Sequence, residues 1–334
     1  MKLSAEEPSP QPSLTILRSD NMGDVMVSLW SLRWIHHTYP DWALRFICRK
    51  SWEPLVQRCT FLDSWVALED FMEGRVPWPE TERSHIVFFY SRPEEARMAL
   101  KLNFRRRTGT AGRWWHWLYS NERIFFSRRH SPWHETQLNL VLVKKFLPRV
   151  WPCALDELSQ LKLWSLNGNS HSAGSLRILL HPFSNKSAPL WPRKHWISLL
   201  RILGSLKNAE IFVSGLSEHQ AEAEYLIRES GNVKALNVCG QFNLEEFIRF
   251  IATCHSIAAP STGPLHVAAA LGLNTIGLFV PRSPMHPGRW APIGPRVLAL
   301  TGALDCSKKC IPHSCSCMEK VAPEIVAEKL IYGP

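Results

Sequence analysis

The hexapeptide S-T-G-P-L-H, residues 261–266, contains residue types that bind anions in proteins. It follows an apolar run predicted as a strand, and Pro264 suits the first turn of a helix. A helix that begins here directs unpaired backbone N–H groups and the positive end of its dipole at a ligand. In the alternative interpretation, Ser261 or Thr262 is only an N-cap and His266 only a core residue. The anion-binding interpretation makes Ser261, Thr262, Gly263 and His266 the candidate ligands of a phosphate group.

A second candidate for chemistry is Asp24, which follows a short apolar strand and the polar loop of residues 18–23. It opens a helix whose apolar residues include Val25, Leu29 and Leu32. Aspartate is a common N-cap, so helix capping is one interpretation. The other is a carboxylate held at the carboxyl edge of a parallel sheet, where α/β folds place their chemistry.

Strands and helices alternate through both halves of the chain, which predicts βαβ units on parallel sheets. The polar residues 167–175, N-G-N-S-H-S-A-G-S, are typical of a linker. We therefore predict an α/β fold with a flexible tail over 1–13 and two Rossmann-like, doubly wound domains over 14–166 and 176–334. Neither G-x-G-x-x-G after the first strand nor a P-loop is present, which argues against a nicotinamide or flavin enzyme.

Composition narrows the class of protein further. The 334 residues are 45% hydrophobic, enough for two ordinary cores, and no apolar run has the length of a membrane span or a signal peptide. Nine cysteines without such a signal favour a reducing, cytoplasmic location. Four of them, with His313 nearby, lie close together, but their spacing lacks the paired C-x₂-C pattern of structural zinc sites. We predict no metal site at Cys306, Cys310, Cys315 and Cys317.

Most of the net charge of +10 lies between Lys101 and Val150, where eleven Lys or Arg stand against two Glu. This basic segment interleaves arginine with aromatic residues, a mixture that binds phosphates, stacks on bases or lies at a membrane surface. A solvated basic loop is the alternative. Because no nucleic-acid-binding signature accompanies it, we predict an anionic membrane surface and a phosphorylated amphiphile as partners, and no nucleic acid.

Three motifs, in this order along the chain, resemble glycosyltransferase family 9, the lipopolysaccharide heptosyltransferases. They are R-x-D-x-M-G-D at 18–24, the H-P-F strand end with Lys186 and W-P…H-W over 181–196, and S-T-G-P-L-H-V-A-A-A-L-G at 261–272. Gly277-Leu278-Phe279 and R-W-A-P-I-G at 289–294 follow the third motif. The resemblance covers about residues 14–330. It implies the GT-B fold, two Rossmann-like domains facing across a cleft, with the last helix able to pack back on the first domain.

The resemblance also implies a reaction, namely inverting, metal-independent transfer of a sugar from a nucleotide sugar. Asp24 would take the proton of the acceptor hydroxyl, while Lys186 and the helix after Gly263 stabilise the leaving diphosphate. Glu218, in the loop with Gly215, resembles the acidic residue near the nucleotide ribose. The donor-binding residues would be Ser261, Thr262, Gly263, His266, Glu218 and Gly215. The acceptor-binding residues would be Arg18, Asp20, Arg105, Arg106, Arg107 and Arg113.

Ser261 is a departure, because many members of the family carry there an Asp that contacts the donor sugar. The predicted donor is nevertheless an ADP-sugar, ADP-heptose first, and the predicted acceptor is a lipopolysaccharide core or similar lipid-linked anionic glycan. We expect no cofactor and a cytoplasmic enzyme peripheral to the inner face of the membrane. The alternatives are a catalytically silent glycan- or lipid-surface-binding protein on the same scaffold, and a nucleic-acid binder.

Overall fold

The computed structural model describes residues 12–78, 83–129, 131–164, 175–184, 189–302 and 316–333. These residues form two six-stranded parallel sheets, each within one of two compact units. The predicted linker 167–175, except for its last residue, lies outside the described residues. So do Lys186, nearly all of the predicted tail and three of the clustered cysteines, Cys306, Cys310 and Cys315.

The first unit comprises Met1–Asp20, Ser31–Ser127 and Gln137–Cys153. Its strands are β1 Ser13–Arg18, β2 Ala43–Cys48, β3 Ser64–Ala67, β4 His85–Tyr90, β5 Arg106–Thr110 and β6 Glu122–Ile124. The helices of this half of the chain are α1 Met22–Thr38, α2 Glu53–Val56, α3 Leu68–Glu73, α4 Pro93–Lys101, α5 Trp114–Tyr119, α6 Glu135–Val141 and α7 Leu155–Gln160.

The first sheet has the strand order β3-β2-β1-β4-β5-β6, with every pair parallel. Thr15 of β1 lies level with Arg45 of β2 and with Ile86 of β4. From β1 to β3 the strands are added on one side of β1, and from β4 to β6 on the other side. Doubly wound α/β sheets bind ligands beyond the carboxyl ends of the two strands where this order reverses, here β1 and β4. The loop that carries Asp24 follows β1 and so leaves the sheet at this point.

The second unit comprises Asn21–Trp30, Arg128–Thr136 and Ala154–Pro334, so α1 and α6 each contribute residues to both units. Its strands are β7 Leu176–Leu180, β8 Ala209–Val213, β9 Ala235–Asn237, β10 Ser256–Pro260, β11 Asn274–Phe279 and β12 Val297–Thr301. Its helices are α8 Arg193–Gly204, α9 Gln220–Ser230, α10 Leu244–Ala252, α11 Gly263–Ala270, α12 Pro287–Trp290, α13 Ser316–Glu319 and α14 Pro323–Tyr332.

The second sheet repeats the same winding, with the order β12-β11-β10-β7-β8-β9. Here the reversal falls between β7 and β10, which pair in parallel with Ala258 level with Leu180. The hexapeptide of residues 261–266 leaves the end of β10. Both sheets therefore present a predicted site loop at the point where doubly wound sheets bind their ligands.

The central strands are buried on both faces, which explains why apolar residues predominate in β10 and β11. Helix α8 covers its side of the second sheet with a stripe at i, i+3, i+4 and i+7, namely Trp196, Leu199, Leu200 and Leu203. The buried residues of α14 belong to the same core, and the Asn274 side-chain amide donates to the Lys329 carbonyl at 2.6 Å. Packing of this last helix back on the first domain stays a prediction.

The predicted α/β class with two doubly wound parallel sheets is confirmed. Within the described ranges, no helix has the length and apolar character needed to cross a bilayer.

Candidate active site

The N-terminus of α11 faces out of the second sheet directly after β10. Thr262 precedes the helix in an extended conformation, and its hydroxyl donates to the Pro260 carbonyl at 3.1 Å without capping the helix. The interpretation of Thr262 as a side-chain N-cap is therefore wrong. Pro264, in the first turn, has no N–H to satisfy. The Thr262 side chain therefore accepts no hydrogen bond from the first backbone N–H groups of the helix, and these can bind an anion.

His266 lies in the first turn of α11 and is 3% exposed. Its Nδ1 has no hydrogen-bond partner among the described residues. Burial, together with a smaller effect of the neighbouring His134, lowers the pKa of His266 to about 3. The ring is therefore neutral at physiological pH. A buried polar atom without a partner costs free energy, so a ligand that supplies the missing hydrogen bond is favoured there.

The first two residues of α1, which precede Asp24, pack directly against this helix start. A Cβ atom on Gly263 would overlap the Met22 methyl group, and one on Gly23 would lie 3.6 Å from Cδ2 of the His266 ring. Both contacts lie within the second unit. They bring the residue immediately before Asp24 to the imidazole.

Asp24 is half-buried at the third position of α1. The helix begins at Met22, and the Val25 N–H donates to the Asn21 carbonyl at 3.0 Å. Asp24 is therefore not the residue that caps α1, and the capping interpretation is wrong. A carboxylate in a first turn interacts favourably with the positive end of the helix dipole.

The loop after β1 is held rigidly within the first unit. Arg18 is 2% exposed and its guanidinium donates to both carboxylate oxygens of Asp20, at 2.6 and 3.1 Å. A third bond of 3.2 Å runs to the Asn139 side chain. The Ser19 hydroxyl donates to Glu95 at 2.8 Å. The predicted acceptor ligands Arg18 and Asp20 are thus bonded to each other, with the arginine shielded from solvent.

Three of the four other predicted acceptor arginines are at the wrong edge of the sheet. Arg106 and Arg107 are the first residues of β5 and lie level with His85 and Ile86, at the amino end of β4. Arg105 precedes them. In a parallel sheet, that edge is opposite to the one that carries the loops after β1 and β4. Arg106 also pairs with Glu122 at 2.7 Å, so the prediction that these arginines bind the acceptor is corrected.

Arg113 differs from them, because it follows the carboxyl end of β5 and precedes α5. Its guanidinium lies over the Tyr90 ring at 4.4 Å and the Trp115 ring at 5.1 Å. Tyr90 ends β4 and lies level with Arg18. Of the arginines predicted from the basic segment, Arg113 therefore lies at the same edge as the loop after β1.

The loops after β7 and β8 bring together four side chains at the carboxyl edge of the second sheet. His181, after β7, is 2.9 Å from the Ser214 hydroxyl, and the Phe183 ring stacks on the His219 ring at 4.4 Å. A Cβ on Gly215 would approach that Phe183 ring to 2.7 Å, so this position requires glycine. Glu218 is exposed and lies 3.7 Å from His219, within reach of a ligand at the carboxyl edge.

A buried charged cluster, which the sequence did not reveal, lies elsewhere in the second unit. Glu135 is 1% exposed and accepts two bonds from Arg289, at 3.1 and 3.0 Å, and one from Arg128. Arg289 also donates to the Arg128 carbonyl at 3.0 Å. The adjacent His134 accepts from the Thr136 N–H at Nδ1, so its Nε2 donates to the Ala291 carbonyl at 2.8 Å.

Comparison with known proteins identifies relatives of this chain. The family model for glycosyltransferase family 9 (heptosyltransferase) matches residues 147–319, just over half of the chain. A Haemophilus influenzae protein whose name assigns it provisionally as a glycosyltransferase is 22% identical over 297 residues, 84% of this chain and 86% of that protein.

Two solved structures share the fold. Escherichia coli ADP-heptose lipopolysaccharide heptosyltransferase II superposes with a TM-score of 0.73 at 18% identity, covering 96% of this chain and 97% of that one. Escherichia coli heptosyltransferase WaaC with ADP superposes with a TM-score of 0.69 at 16% identity, covering 96% and 99%. The predicted GT-B class is confirmed by these likenesses.

Proposed function

The chain belongs to glycosyltransferase family 9 and is a glycosyltransferase, and we propose that it transfers heptose from ADP-heptose to a lipopolysaccharide core or similar glycolipid. The observation that carries this proposal is the packing of Met22 and Gly23, the residues before Asp24, against Gly263 and His266. A base and an anion-binding helix start are thereby joined in one unit. The two solved heptosyltransferases, one of them with ADP, support the nucleotide and the sugar.

Asp24 is the proposed general base. Its carboxylate takes the proton from the acceptor hydroxyl as the oxygen attacks the anomeric carbon and the bond to the diphosphate breaks. One such displacement inverts the configuration at that carbon. The position of Asp24 in the first turn of α1 supports this role, because the preceding residue Gly23 lies against the His266 ring in the first turn of α11.

The leaving diphosphate gains negative charge, which groups of the chain itself would stabilise. The backbone N–H groups at the start of α11 and the unpartnered imidazole of His266 are the proposed donors. Thr262 and Gly263 supply the backbone of that turn. Lys186 remains a predicted cation for the same charge. We propose that this set works without a metal ion, so that transfer continues in the presence of EDTA.

Ser261 and the loop after β8 are the proposed determinants of the donor. Ser261 is half-buried beside the helix start, where it offers a hydroxyl to the sugar in place of the Asp common in the family. Glu218 offers a carboxylate to the ribose hydroxyls, and Gly215 keeps the loop close to Phe183. We propose that the Ser261 hydroxyl is sufficient to bind the heptose of the donor.

For the acceptor, we propose that Arg113 meets phosphates or acidic sugars of a lipid-linked glycan. Arg18 and Asp20 would act as positioning residues, since their side chains bind each other. A lipid-linked acceptor would bring the enzyme to the anionic inner face of the cytoplasmic membrane.

The deciding experiment is a thermal-shift comparison of ADP, UDP and GDP with their sugars, followed by transfer to a lipopolysaccharide acceptor. A ligand that binds only the folded state raises its stability with the logarithm of its excess over Kd. We expect a shift with ADP and a larger one with ADP-heptose. No shift with any nucleotide contradicts the proposal. The alternative of a catalytically silent binding protein is favoured if the chain binds a nucleotide sugar but transfers its sugar to no acceptor. In that case, substitution of Asp24 should also leave the binding unchanged.

A further inference from the structure

Four large apolar side chains are exposed within a short stretch of the first unit. They belong to α5 and β6 and their surroundings, and their exposed fractions are 64% for Trp114, 55% for Trp117, 63% for Leu118 and 76% for Phe125. We call these four residues the apolar patch. Trp114, Trp117 and Leu118 are spaced i, i+3 and i+4 and share one face of α5. The Phe125 ring meets Trp117 edge-on at 6.2 Å. Clustered exposure of this kind marks an interaction surface.

The opposite face of α5 explains why the patch cannot turn inward. His116 is 1% exposed, bonds to the Ser91 hydroxyl at 3.0 Å and bonds to the Thr110 carbonyl at 2.9 Å. Trp115 and Tyr119 pack against the core of the first unit. With its inner face filled, the helix holds Trp114, Trp117 and Leu118 toward solvent.

The polar atoms of the patch are already satisfied, and cations lie beside its rings. The Trp117 indole N–H donates to the Ala111 carbonyl at 2.9 Å, which leaves the ring face as the available surface. The Arg123 guanidinium lies 4.7 Å from the centre of that ring. Arg113 directly precedes the helix. Between Lys101 and Arg123, six Lys or Arg stand against one Glu, so the surroundings of the patch are strongly positive.

We propose that the apolar patch inserts into the headgroup layer of an anionic lipid bilayer, with Arg123 meeting lipid phosphates. Tryptophan and phenylalanine favour that layer, and anionic lipids attract neighbouring arginines. A second copy of the chain would place the same positive surface against this one, whereas an anionic lipid layer compensates that charge. The proposal rests on the proposed function, because a lipid-linked acceptor lies at such a surface.

The test is co-sedimentation of the full chain with vesicles, without donor or acceptor. One set contains phosphatidylcholine alone and the other phosphatidylcholine mixed with phosphatidylglycerol. We expect binding to the anionic vesicles that weakens as salt rises. Trp117→Ser and Phe125→Ser should each lower the partition coefficient roughly tenfold, since each removes a large ring from the buried apolar area. Arg123→Gln should weaken binding to anionic vesicles only.

Val233 and Leu236 provide the matched control, because they are 95% and 54% exposed but lie in the second unit. Val233→Ser and Leu236→Ser should leave vesicle binding unchanged. The melting temperature and the thermal shift with ADP show whether each variant is folded. If Trp117→Ser is unstable for want of its bond to Ala111, Leu118→Ser carries the test, as its side chain is apolar and exposed.

Two results would overturn the proposal. The first is wild-type protein that leaves anionic vesicles unbound, or patch variants that bind them as the wild type does. The second is loss of self-association in the variants, by sedimentation velocity, with vesicle binding retained, which would assign the patch to a second copy of the chain. Because neither readout involves sugar transfer, failure here is distinct from failure of ADP-heptose to bind or react.

Discussion

Gly263 lies so close to Met22 that a Cβ atom on the glycine would overlap the Met22 methyl group and lie 3.0 Å from its Cβ and Cγ. Met22 opens α1 and Gly263 opens α11, so the starts of the two helices that carry the candidate site are in direct contact. A side chain at 263 must displace the Met22 methyl group and would crowd the Met22 Cβ and Cγ at the start of α1.

Gly263→Ala should therefore destabilise the protein by about 1–3 kcal/mol, the range for overpacking, and should raise KM for the donor. Met22→Ala in the same chain should restore most of the stability, because it removes the overlapping atoms. Denaturant unfolding and donor kinetics on the single and double variants measure both effects.

Gly23→Ala is the matched control for that pair. Its new methyl group would lie 3.6 Å from the His266 ring, an ordinary contact, and the position is helical. We expect stability to be unchanged or slightly raised. A loss as large as that of Gly263→Ala would show that backbone strain, not the Met22 contact, explains the first result.

Asp24→Asn should lower kcat by about 10²–10⁴-fold, the usual contribution of a general base. Donor affinity and melting temperature should hardly change, since the amide fills the same space. Asp156→Asn provides the comparison, because Asp156 is likewise an acidic residue in the first turn of a helix, α7. If both variants keep full activity, Asp24 contributes only to the helix dipole and is not the base.

Glu135→Gln should destabilise the protein by about 3–5 kcal/mol, because it leaves the buried Arg289 guanidinium without its counter-charge. The double variant Glu135→Gln, Arg289→Met removes both charges and should recover much of that loss. Urea unfolding of the two variants is the measurement. Equal destabilisation of single and double variants would mean that packing, and not charge pairing, holds this cluster.

Acidification should destabilise the protein between about pH 6.5 and pH 4. Burial lowers the pKa of His85 and His116 to about 4 and that of His266 to about 3, below the ordinary value of 6.5. Over this interval the unfolded chain binds protons that the folded chain does not, so stability is complete above pH 6.5 and falls as pH is lowered. Each such histidine contributes up to about 1.4 kcal/mol per pH unit.

His116→Asn should flatten this dependence, because it removes one of the titrating groups while keeping a polar side chain near Ser91. Melting temperatures across the pH range, for wild type and variant, provide the check. Parallel curves would show that His116 does not lose its proton on folding.

The sequence predicted the parallel sheets because central strands such as β10 are buried on both faces and consist mostly of apolar residues. Residues close in sequence also determined the predicted loops, so the starts of α1 and α11 were expected near their observed positions. Asp24 illustrates the limit, since the pattern could not distinguish an N-cap from a residue in the first turn.

The sequence did not allow contacts between segments distant in the chain to be predicted. Glu135 and Arg289 are 154 residues apart, and no local pattern marks either as the partner of the other. Strand β5, with the sequence R-R-T-G-T, was not predicted, because its charged residues are more typical of a loop. Backbone pairing with β4 and β6 stabilises β5, although its residues are not typical of a strand. The same pairing places Arg106 and Arg107 at the edge of the sheet away from the candidate site.

The three chain segments of the second unit have a consequence for how the protein can be made. Residues 21–30 and 128–136 leave the ribosome well before residues 263–291, which they contact. A fragment ending at residue 153 would contain Glu135 without Arg289, and one beginning at residue 154 would contain Arg289 without Glu135. A cut between the two sheets therefore separates Glu135 from Arg289, and it leaves Asp24 and His266 on different fragments.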